Sequence, residues 1–409
     1  MVSSARASVQ GPAHAVAWGS DASEEPHSGP ARAAAALLSA QLSSGNQLRV
    51  LKDGAQTLPA MFHAIRAARR YVHLEYYVIE DVHLRGESLF DLLSEKCRSG
   101  VQVAIIFDVV GSSGTHSQFF AGLRKQGVHL LGFNPVNPLR SYSSYSLNCR
   151  DHRKILIADG TTAIVGGINM SRAYETAQDQ RRWRDTDLQV AGPAVAHLQR
   201  LFLDHWAAHG GASLPRRGFF PALVPRGQER VAIVGSSPQG QGPRFHDVLL
   251  AALRAARHRI WLTAGYFLPT PALMQELVRA ASRQVDVRLL LPSHNDSVAA
   301  LAVQRSSYAR LLDAGVTVLE RSAVILHSKS AVIDQAWSCV GTSNIDARSV
   351  RYNHEVDAIV LGTRTADGLA RLFLEDVSKA RMIEPAAWKS RPVTQKLREA
   401  FWSPWQGLL

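Results

Sequence analysis

Several features are scarce in this 409-residue chain, and each scarcity narrows the class of protein. Only three cysteines are present, far apart and odd in number. They show neither a disulfide framework nor zinc-ligand spacing, which is typical of a reducing compartment. The longest apolar run near the N-terminus covers residues 33–42, far short of the ~20 residues of a membrane span, and no basic segment precedes it. We therefore expect neither a transmembrane helix nor a signal peptide.

Lysine is also scarce, because only 8 of the 46 lysines and arginines are lysine. The formal net charge is nevertheless +12. A basic balance of this size favours polyanionic partners such as nucleic acid or an anionic membrane surface. Two of the eight lysines occur in a repeated motif, which indicates that those two positions need a compact ammonium rather than a planar guanidinium.

The chain repeats its own pattern of helices and strands. Residues 65–70, IRAARR, reappear as LRAARH at 253–258, and each copy leads from a predicted helix into a buried strand. Alternating helices and strands predict an α/β fold, and the repetition predicts two similar halves related by a pseudo-two-fold axis. The predicted divisions are a disordered tail at 1–45, a first half at 46–213, a linker at 214–230, a second half at 231–385 and a C-terminal tail at 386–409.

The repeat contains twin H-x-K-x4-D motifs, at 152–159 and 327–334, each followed, after six intervening residues, by Gly and then by Asn. Two copies in matching places of an internal repeat are very unlikely to arise by chance. In a strand, a His and a Lys two residues apart project from the same face. The candidate catalytic residues are His152, Lys154, Asp159, His327, Lys329 and Asp334. The candidate substrate-binding amides are Asn169 and Asn344.

Two such half-sites placed face to face suit phosphoryl transfer. The lysines and amides would stabilise charge on the non-bridging oxygens, one His would attack phosphorus, and the other would exchange protons with the alcohols. Asp159 and Asp334 lie near the following turn, where we expect them to support the turn or the Lys rather than to touch substrate. A metal site is disfavoured because each Lys would place positive charge beside the cation, and no cofactor is predicted.

These motifs resemble the hallmark of the phospholipase D superfamily, over about residues 46–385. Within it, the chain is most similar to bacterial cardiolipin synthases of the short type, through segments such as GYFLPT and GTSNIDARSVRYNHE. Thr342 departs from the more usual Gly or Ser but keeps a hydroxyl. The resemblance implies two phospholipase D-like α/β sandwich halves with a shared active site at their interface.

The resemblance also implies a carboxylate behind each His. It assigns Glu355 to His327 and Asp185 to His152, with Asp187 as an alternative to Asp185 on the same strand face. We expect each carboxylate to raise the pKa of the His beside it. The nucleophile is expected to be His152 and the acid/base to be His327, although the two halves are chemically alike.

The implied reaction joins two phosphatidylglycerols into cardiolipin and releases glycerol through a phosphohistidine. The alternatives are a phospholipase D that forms phosphatidic acid and, less favoured, a phosphodiesterase or nuclease of the same superfamily. The expected partner is therefore anionic phospholipid at a membrane surface, with no nucleic acid. We expect a protein peripheral to the cytosolic face of the cytoplasmic membrane. The C-terminal tail, rich in aromatics and cations, is expected either to contact the membrane or to pack on its own domain.

Overall fold

The fold is taken from a computed structural model, which describes residues 29–136, 148–175, 183–214, 218–240, 242 and 244–407. In these residues, every helix is too short or too polar to span a lipid bilayer. Residues 1–28 of the predicted tail at 1–45 and residues 215–217 of the predicted linker lie outside the described residues.

The first half alternates helices and strands, as its hydrophobic pattern predicts. Its strands are β1 Leu42–Lys52, β2 Tyr71–Tyr76, β3 His83–Leu84, β4 Glu87–Ser88, β5 Gln102–Asp108, β6 His129–Phe133, β7 Lys154–Ala158, β8 Thr162–Gly166, β9 Trp183–Arg184 and β10 Thr186–Ala191. Its helices are α1 Gly29–Leu37, α2 Asp53–Ala67, α3 Leu89–Arg98, α4 Ser117–Lys125 and α5 Ala194–Ala208, with a 3-10 turn at Arg172–Tyr174.

The second half repeats this order. Its strands are β11 Glu229–Ser236, β12 Arg259–Ala264, β13 Asp286–Pro292, β14 Thr317–Arg321, β15 Ile325–Leu326, β16 Lys329–Ile333, β17 Trp337–Gly341, β18 Glu355–Leu361 and β19 Ala380–Met382. Its helices are α6 Phe245–Ala255, α7 Pro271–Ser282, α8 Val298–Ser306, α9 Tyr308–Asp313, α10 Ala347–Arg351, α11 Thr363–Val377, α12 Pro385–Lys389 and α13 Val393–Trp402, with a 3-10 turn at Ser403–Gly407.

One sheet of fifteen strands runs through both halves, in the order β19-β14-β13-β12-β16-β17-β18-β11-β1-β10-β8-β7-β2-β5-β6. At its centre β1 pairs antiparallel with β11, as a two-fold axis between them requires. Outward from this pair, each half repeats one order: a strand leading to a helix, the motif hairpin, and then parallel strands. The predicted α/β fold of two repeated halves is confirmed.

Helices cover both faces of this sheet, which is why its central strands are apolar at successive positions. On one face, Ile155 and Val332 belong to a core that spans both halves under α5 and α11. On the other face, Leu156 lies in a core of the first half and Ile333 in a core of the second. The shared core makes the two halves one body across the β1–β11 junction.

Two predicted boundaries differ from the structure. The sequence predicts that the first half begins at residue 46, yet α1 precedes that residue, β1 already begins at Leu42, and Ala31 and Ala34 of α1 are buried in the core of the second half. The small side chains of α1 allow it to lie close to α6, an interaction that its weak periodicity does not indicate. The predicted tail at 386–409 contains α12, α13 and a 3-10 turn in its described part.

The two motif aspartates occupy matching turns after β7 and β16. Asp159 and Asp334 both have φ of +52°, a left-handed conformation that Asp tolerates better than most residues. The Asp159 carboxylate accepts three backbone N–H bonds, of 2.8–2.9 Å, at the start of β2. The Asp334 carboxylate accepts the N–H groups of residues 257–259 before and at the start of β12. Each aspartate thus ties its hairpin to the neighbouring strand.

We expect Asp159→Asn and Asp334→Asn each to lower the free energy of unfolding by about 1–3 kcal/mol, because an amide has only one acceptor oxygen for these charge-assisted bonds. Chemical denaturation would measure the loss. Asp313→Asn is the control, because Asp313 is an exposed residue whose carboxylate pairs with an exposed lysine, Lys389. Equal stability of all three variants would contradict this structural role.

Candidate active site

The motif histidines and lysines are buried side by side at the start of β7 and β16. His152 and His327 are 9% and 7% exposed, and Lys154 and Lys329 are 1% and 4% exposed. The Lys154 Nζ donates a hydrogen bond to the carbonyl oxygen of His152 at 2.6 Å, and Lys329 makes the same bond to His327. The repeat therefore produces two nearly identical His–Lys pairs.

Backbone hydrogen bonds between the halves bring these pairs together. The His152 N–H donates to the carbonyl of His354 at 2.9 Å, in the second half. The His327 N–H donates to the carbonyl of Arg184 at 2.8 Å, in the first half, where β15 pairs with β9. Each motif His is thus placed beside the residue that precedes the opposite half's carboxylate.

The histidine–carboxylate pairs therefore cross the interface. His152 Nδ1 lies 2.9 Å from Glu355 Oε2, and His327 Nδ1 lies 2.7 Å from Asp185 Oδ2. The predicted pairing, Asp185 with His152 and Glu355 with His327, is wrong. It treated each half as a complete unit, whereas the backbone contacts between the halves place each His against the other half's strand.

Each carboxylate is held by hydroxyl groups from its own half. The Tyr174 hydroxyl donates to Asp185 at 2.8 Å and also lies 3.1 Å from His327 Nδ1. Glu355 accepts hydrogen bonds from the Thr342 hydroxyl at 2.6 Å and from the Ser349 hydroxyl at 2.8 Å. The hydroxyl of Thr342, which a Ser at this position would also provide, therefore helps to hold Glu355.

Sequence reasoning missed Tyr174 and Ser349, although the repeat contained the signal. Tyr174 lies five residues after Asn169, and Ser349 lies five residues after Asn344. Each contacts the carboxylate of its own half. Extending the comparison of the two repeats beyond the motif would have identified this pair of positions.

The alternative carboxylate, Asp187, has a different role. Asp187 accepts the backbone N–H of Ile168 at 3.1 Å, and Asp357 accepts that of Ser343 at 3.3 Å in the other half. A Cβ on the Gly at 341 would lie 1.9 Å from the Asp357 carboxylate, so only glycine allows this approach. Asp187 and Asp357 thus each position the turn that precedes the motif Asn of their own half.

Aromatic rings surround the two histidines. The Tyr77 ring centroid lies 5.3 Å from that of His152, and the Trp183 centroid lies 5.1 Å from that of His327. Tyr266 lies farther away, with its centroid 6.4 Å from His327. These edge-on contacts restrict rotation of the imidazoles and keep their orientation toward the carboxylates.

Burial lowers the pKa of both histidines. Burial and the charges of Lys154 and Lys329 hold the pKa of His152 well below its usual value. Burial and Lys329 lower the pKa of His327 to about 4, although Asp185 opposes the shift. The expectation that the carboxylates raise both values is wrong, because it omitted desolvation and the adjacent ammonium groups.

The lysines and carboxylates are shifted as well. Burial, with repulsion from Lys329, lowers the pKa of Lys154 to about 7, and burial lowers that of Lys329 to about 8 although nearby carboxylates oppose the shift. Burial raises the pKa of Glu355 to about 7 despite the charge of Lys154. Burial also tends to raise the pKa of Asp185, but His327 and Lys329 outweigh it and hold the value at about 2.

The remaining predicted site residues lie at different places. The Asn169 side-chain oxygen accepts the backbone N–H of Val78 at 3.2 Å. The Asn344 side chain lines a cavity with Phe245 and Thr270, and its buried oxygen has no partner in the described part of the chain. Asp159 and Asp334 bind backbone at the far ends of the motif strands.

A second histidine cluster lies beside this site. Ring nitrogens of His205, His209 and His354 lie within 4.8 Å of one another. However, the rings of His205 and His354 are stacked, with centroids 4.6 Å apart and planes 19° apart. A metal ion lies in the plane of each imidazole that binds it, so these two rings do not direct their lone pairs at one ion. The rings of the cluster instead pack against one another, with His209 edge-on to the stacked pair.

The chain matches the family model described as cardiolipin synthase, PLD-like domain, over residues 61–206 and 249–377, which contain one motif each. It is 34% identical to a cardiolipin synthase of Geobacillus kaustophilus over 362 residues, covering 88% of this chain and 72% of that protein. It is 30% identical to a probable cardiolipin synthase of Bacillus subtilis, covering 90% of this chain and 73% of that protein.

Solved structures support the fold. A phosphatidylserine synthase of Haemophilus influenzae matches with a TM-score of 0.67 at 14% identity, over 93% of this chain and all of that one. A polyphosphate kinase of Porphyromonas gingivalis matches with a TM-score of 0.54 at 13% identity, over 89% of this chain and 54% of that one. From the sequence and family matches, the chain belongs to the cardiolipin synthase family of phospholipase D-like proteins.

Proposed function

We propose that this chain transfers a phosphatidyl group from one phosphatidylglycerol to a hydroxyl of another, forming cardiolipin and releasing glycerol. The observation that supports the proposal most directly is the crossed arrangement of His152 with Glu355 and His327 with Asp185, each beside a buried lysine. The relatives named cardiolipin synthase indicate which phosphodiester this arrangement acts on.

In the first step, His152 attacks phosphorus. A neutral imidazole that donates its Nδ1–H to Glu355 carries its lone pair on Nε2, and the lowered pKa keeps that lone pair available. The phosphorus–nitrogen bond forms and the phosphorus–oxygen bond to glycerol breaks. His327 gives a proton to the departing alkoxide, so glycerol leaves as the neutral alcohol.

In the second step, the acceptor hydroxyl of another phosphatidylglycerol gives its proton to His327. Its oxygen attacks phosphorus, the bond to His152 breaks, and cardiolipin is released. Lys154 and Lys329 stabilise the charge that develops on the non-bridging oxygens. Because the free site holds His327 neutral, the negative charge of the bound phosphodiester is required to raise its pKa, so that the imidazole takes up a proton from solvent before the first step.

The same proposal includes the location of the enzyme. Both substrates are anionic membrane lipids, and the net charge of +12 favours their headgroups. The protein acts as a peripheral enzyme at the cytosolic face of the cytoplasmic membrane.

The product identifies the reaction. Purified protein given phosphatidylglycerol vesicles should produce cardiolipin and glycerol in equal amounts, measured by lipid mass spectrometry and a glycerol assay. His152→Ala and His327→Ala should each lose at least ~1000-fold in rate, because both histidines serve one phosphate. His197→Ala, on α5 and outside the site, is the control. Phosphatidic acid as the main product would establish hydrolysis instead, and half of the wild-type rate in a single-His variant would contradict a shared site.

The crossed pairing separates the roles of the two carboxylates. On phosphatidylglycerol, Asp185→Asn and Glu355→Gln should each slow turnover about 10–100-fold, because each loses a group that orients a histidine. With an activated leaving group that needs no proton, Asp185→Asn should approach the wild-type rate, since Asp185 serves the proton donor. Glu355→Gln should remain slow, since it serves the nucleophile.

A covalent adduct provides the matched test of the same roles. The activated substrate should label His152 in the His327→Ala variant, trapped by alkaline denaturation and located by mass spectrometry, because phosphohistidine is acid-labile and stable in base. His152→Ala should remain unlabelled. Rescue of Glu355→Gln rather than Asp185→Asn, together with labelling of His327, would reverse the assignment.

The lowered pKa values predict the pH dependence of kcat/KM, which reports the free enzyme. The nucleophile must be neutral, so the rate falls as pH drops through its pKa, and this midpoint should lie below 6.5. The first step also consumes a proton on His327, whose pKa is about 4, and it needs charged lysines, whose pKa values are about 7 and 8, so kcat/KM falls as pH rises through each of these values. Initial rates at constant ionic strength, from about pH 4 to about pH 10, would measure the fall in rate on the acid side and on the alkaline side. An acid midpoint above 6.5 would show that the carboxylates outweigh burial.

A further inference from the structure

The inner face of the C-terminal helix α13 carries a buried acid, Glu399, and a partly buried aromatic residue, Trp402. Glu399 is 4% exposed and binds Arg391 with oxygen–nitrogen distances of 2.6–3.2 Å. Gln395 donates a further hydrogen bond to Glu399 at 3.0 Å. Trp402 completes the inner face by packing near Leu268 in a small apolar cluster. The Glu399 contacts therefore stay within the C-terminal segment, and Trp402 supplies an apolar contact between α13 and the rest of the second half.

The outer face of the same helix is apolar. Val393, Leu397 and Phe401 are 68%, 64% and 65% exposed, and Trp405 in the following turn is 50% exposed. At 100° per residue, the three helical positions lie within about 80° of one another, on the side opposite Glu399 and Trp402. We name Val393, Leu397, Phe401 and Trp405 the C-terminal apolar stripe. An amphipathic helix on the surface of a soluble protein normally has the reverse pattern, with its apolar side toward the protein core.

Two cations border the stripe. Lys396 and Arg398 are exposed, and on the helical wheel each lies about 60° beyond one edge of it. An apolar stripe with a cation on each side is the pattern of a helix that lies in the interface of an anionic bilayer, with its apolar side chains below the headgroups. The ammonium and guanidinium groups then remain at headgroup level while their stems pass over the apolar layer.

The stripe is connected to the catalytic region. Trp402 and Tyr266 pack against one apolar cluster, and the ring of Tyr266 faces His327. Gln406 Nε2 donates a hydrogen bond to the carbonyl of Pro269 at 2.6 Å. The segment that follows β12 therefore joins the stripe to the wall of the site. A bilayer bound by the stripe would lie near the place where lipid substrates enter.

We infer that the C-terminal apolar stripe inserts into an anionic phospholipid surface and holds the enzyme on the membrane. The inference rests on the proposed function for its lipid partner. A second copy of the chain fits the stripe less well, because two such faces would oppose Lys396 and Arg398 to their own counterparts. Four side chains also cover much less than the ~800 Å² per partner of a stable protein interface.

The test compares two double variants that add the same charge. Leu397→Glu/Phe401→Glu changes the stripe, whereas Val224→Glu/Met382→Glu changes exposed apolar residues elsewhere, 56% and 52% exposed. Flotation with vesicles of phosphatidylglycerol and phosphatidylcholine should show at least tenfold weaker binding for the stripe variant and less than a twofold change for the control. Brominated lipids should quench wild-type fluorescence, and Trp405→Phe should remove the largest part of that quenching.

Activity distinguishes this inference from the proposed function. The stripe variant should lose at least tenfold in rate on vesicles but keep its rate on dispersed short-chain phosphatidylglycerol. A wild-type protein that transfers nothing on either substrate, yet binds vesicles through the stripe, would refute the function and support the inference. If the stripe variant loses activity on both substrates, the quenching of Trp405 in the wild-type protein decides the outcome. Quenching supports insertion of the stripe, and absence of quenching overturns the inference. Equal vesicle binding by both variants, or a dimer broken by the stripe variant with vesicle binding unchanged, would also overturn it.

Discussion

The geometry of the site depends on backbone hydrogen bonds between the halves, which place each motif histidine beside the carboxylate of the opposite half. His152 meets Glu355 and His327 meets Asp185 because backbone bonds from the histidine N–H groups align the strands at the same places. Neither half therefore has an oriented imidazole of its own. The continuous sheet and the core shared under α5 and α11 maintain this alignment. A change in the packing of the two halves would therefore also change the geometry of the site.

The repeat makes two similar half-sites, yet their carboxylates differ. Asp185 accepts the Tyr174 hydroxyl and stays ionised, with a pKa of about 2. Glu355 is surrounded by neutral donors, including Ser349, and burial raises its pKa to about 7. An ionised Asp185 stabilises an imidazolium on His327 more strongly than a partly protonated Glu355 does on its own partner. This difference favours proton transfer at His327 and nucleophilic attack at the other histidine.

Much of this arrangement was predictable, because a duplicated motif in a duplicated pattern specifies two α/β halves and one His–Lys pair in each. The pairing of Asp185 and Glu355 was not predictable from spacing, since it depends on strand register between segments more than 140 residues apart. The direction of the histidine pKa shifts was not predictable either, because desolvation depends on burial. The position of α1 in the second half's core was missed because its alanine-rich sequence has no clear periodicity.

The buried lysines explain why the site suits an anionic substrate. Each ammonium donates to the carbonyl of its own motif histidine, and burial lowers the pKa of both Lys154 and Lys329. Holding two such cations out of water destabilises the empty site. A phosphodiester between them restores their charge and raises the pKa of His327, so substrate binding itself prepares the proton donor. The folded site is therefore poised for phosphate before substrate arrives, which is the preorganisation that phosphoryl transfer requires.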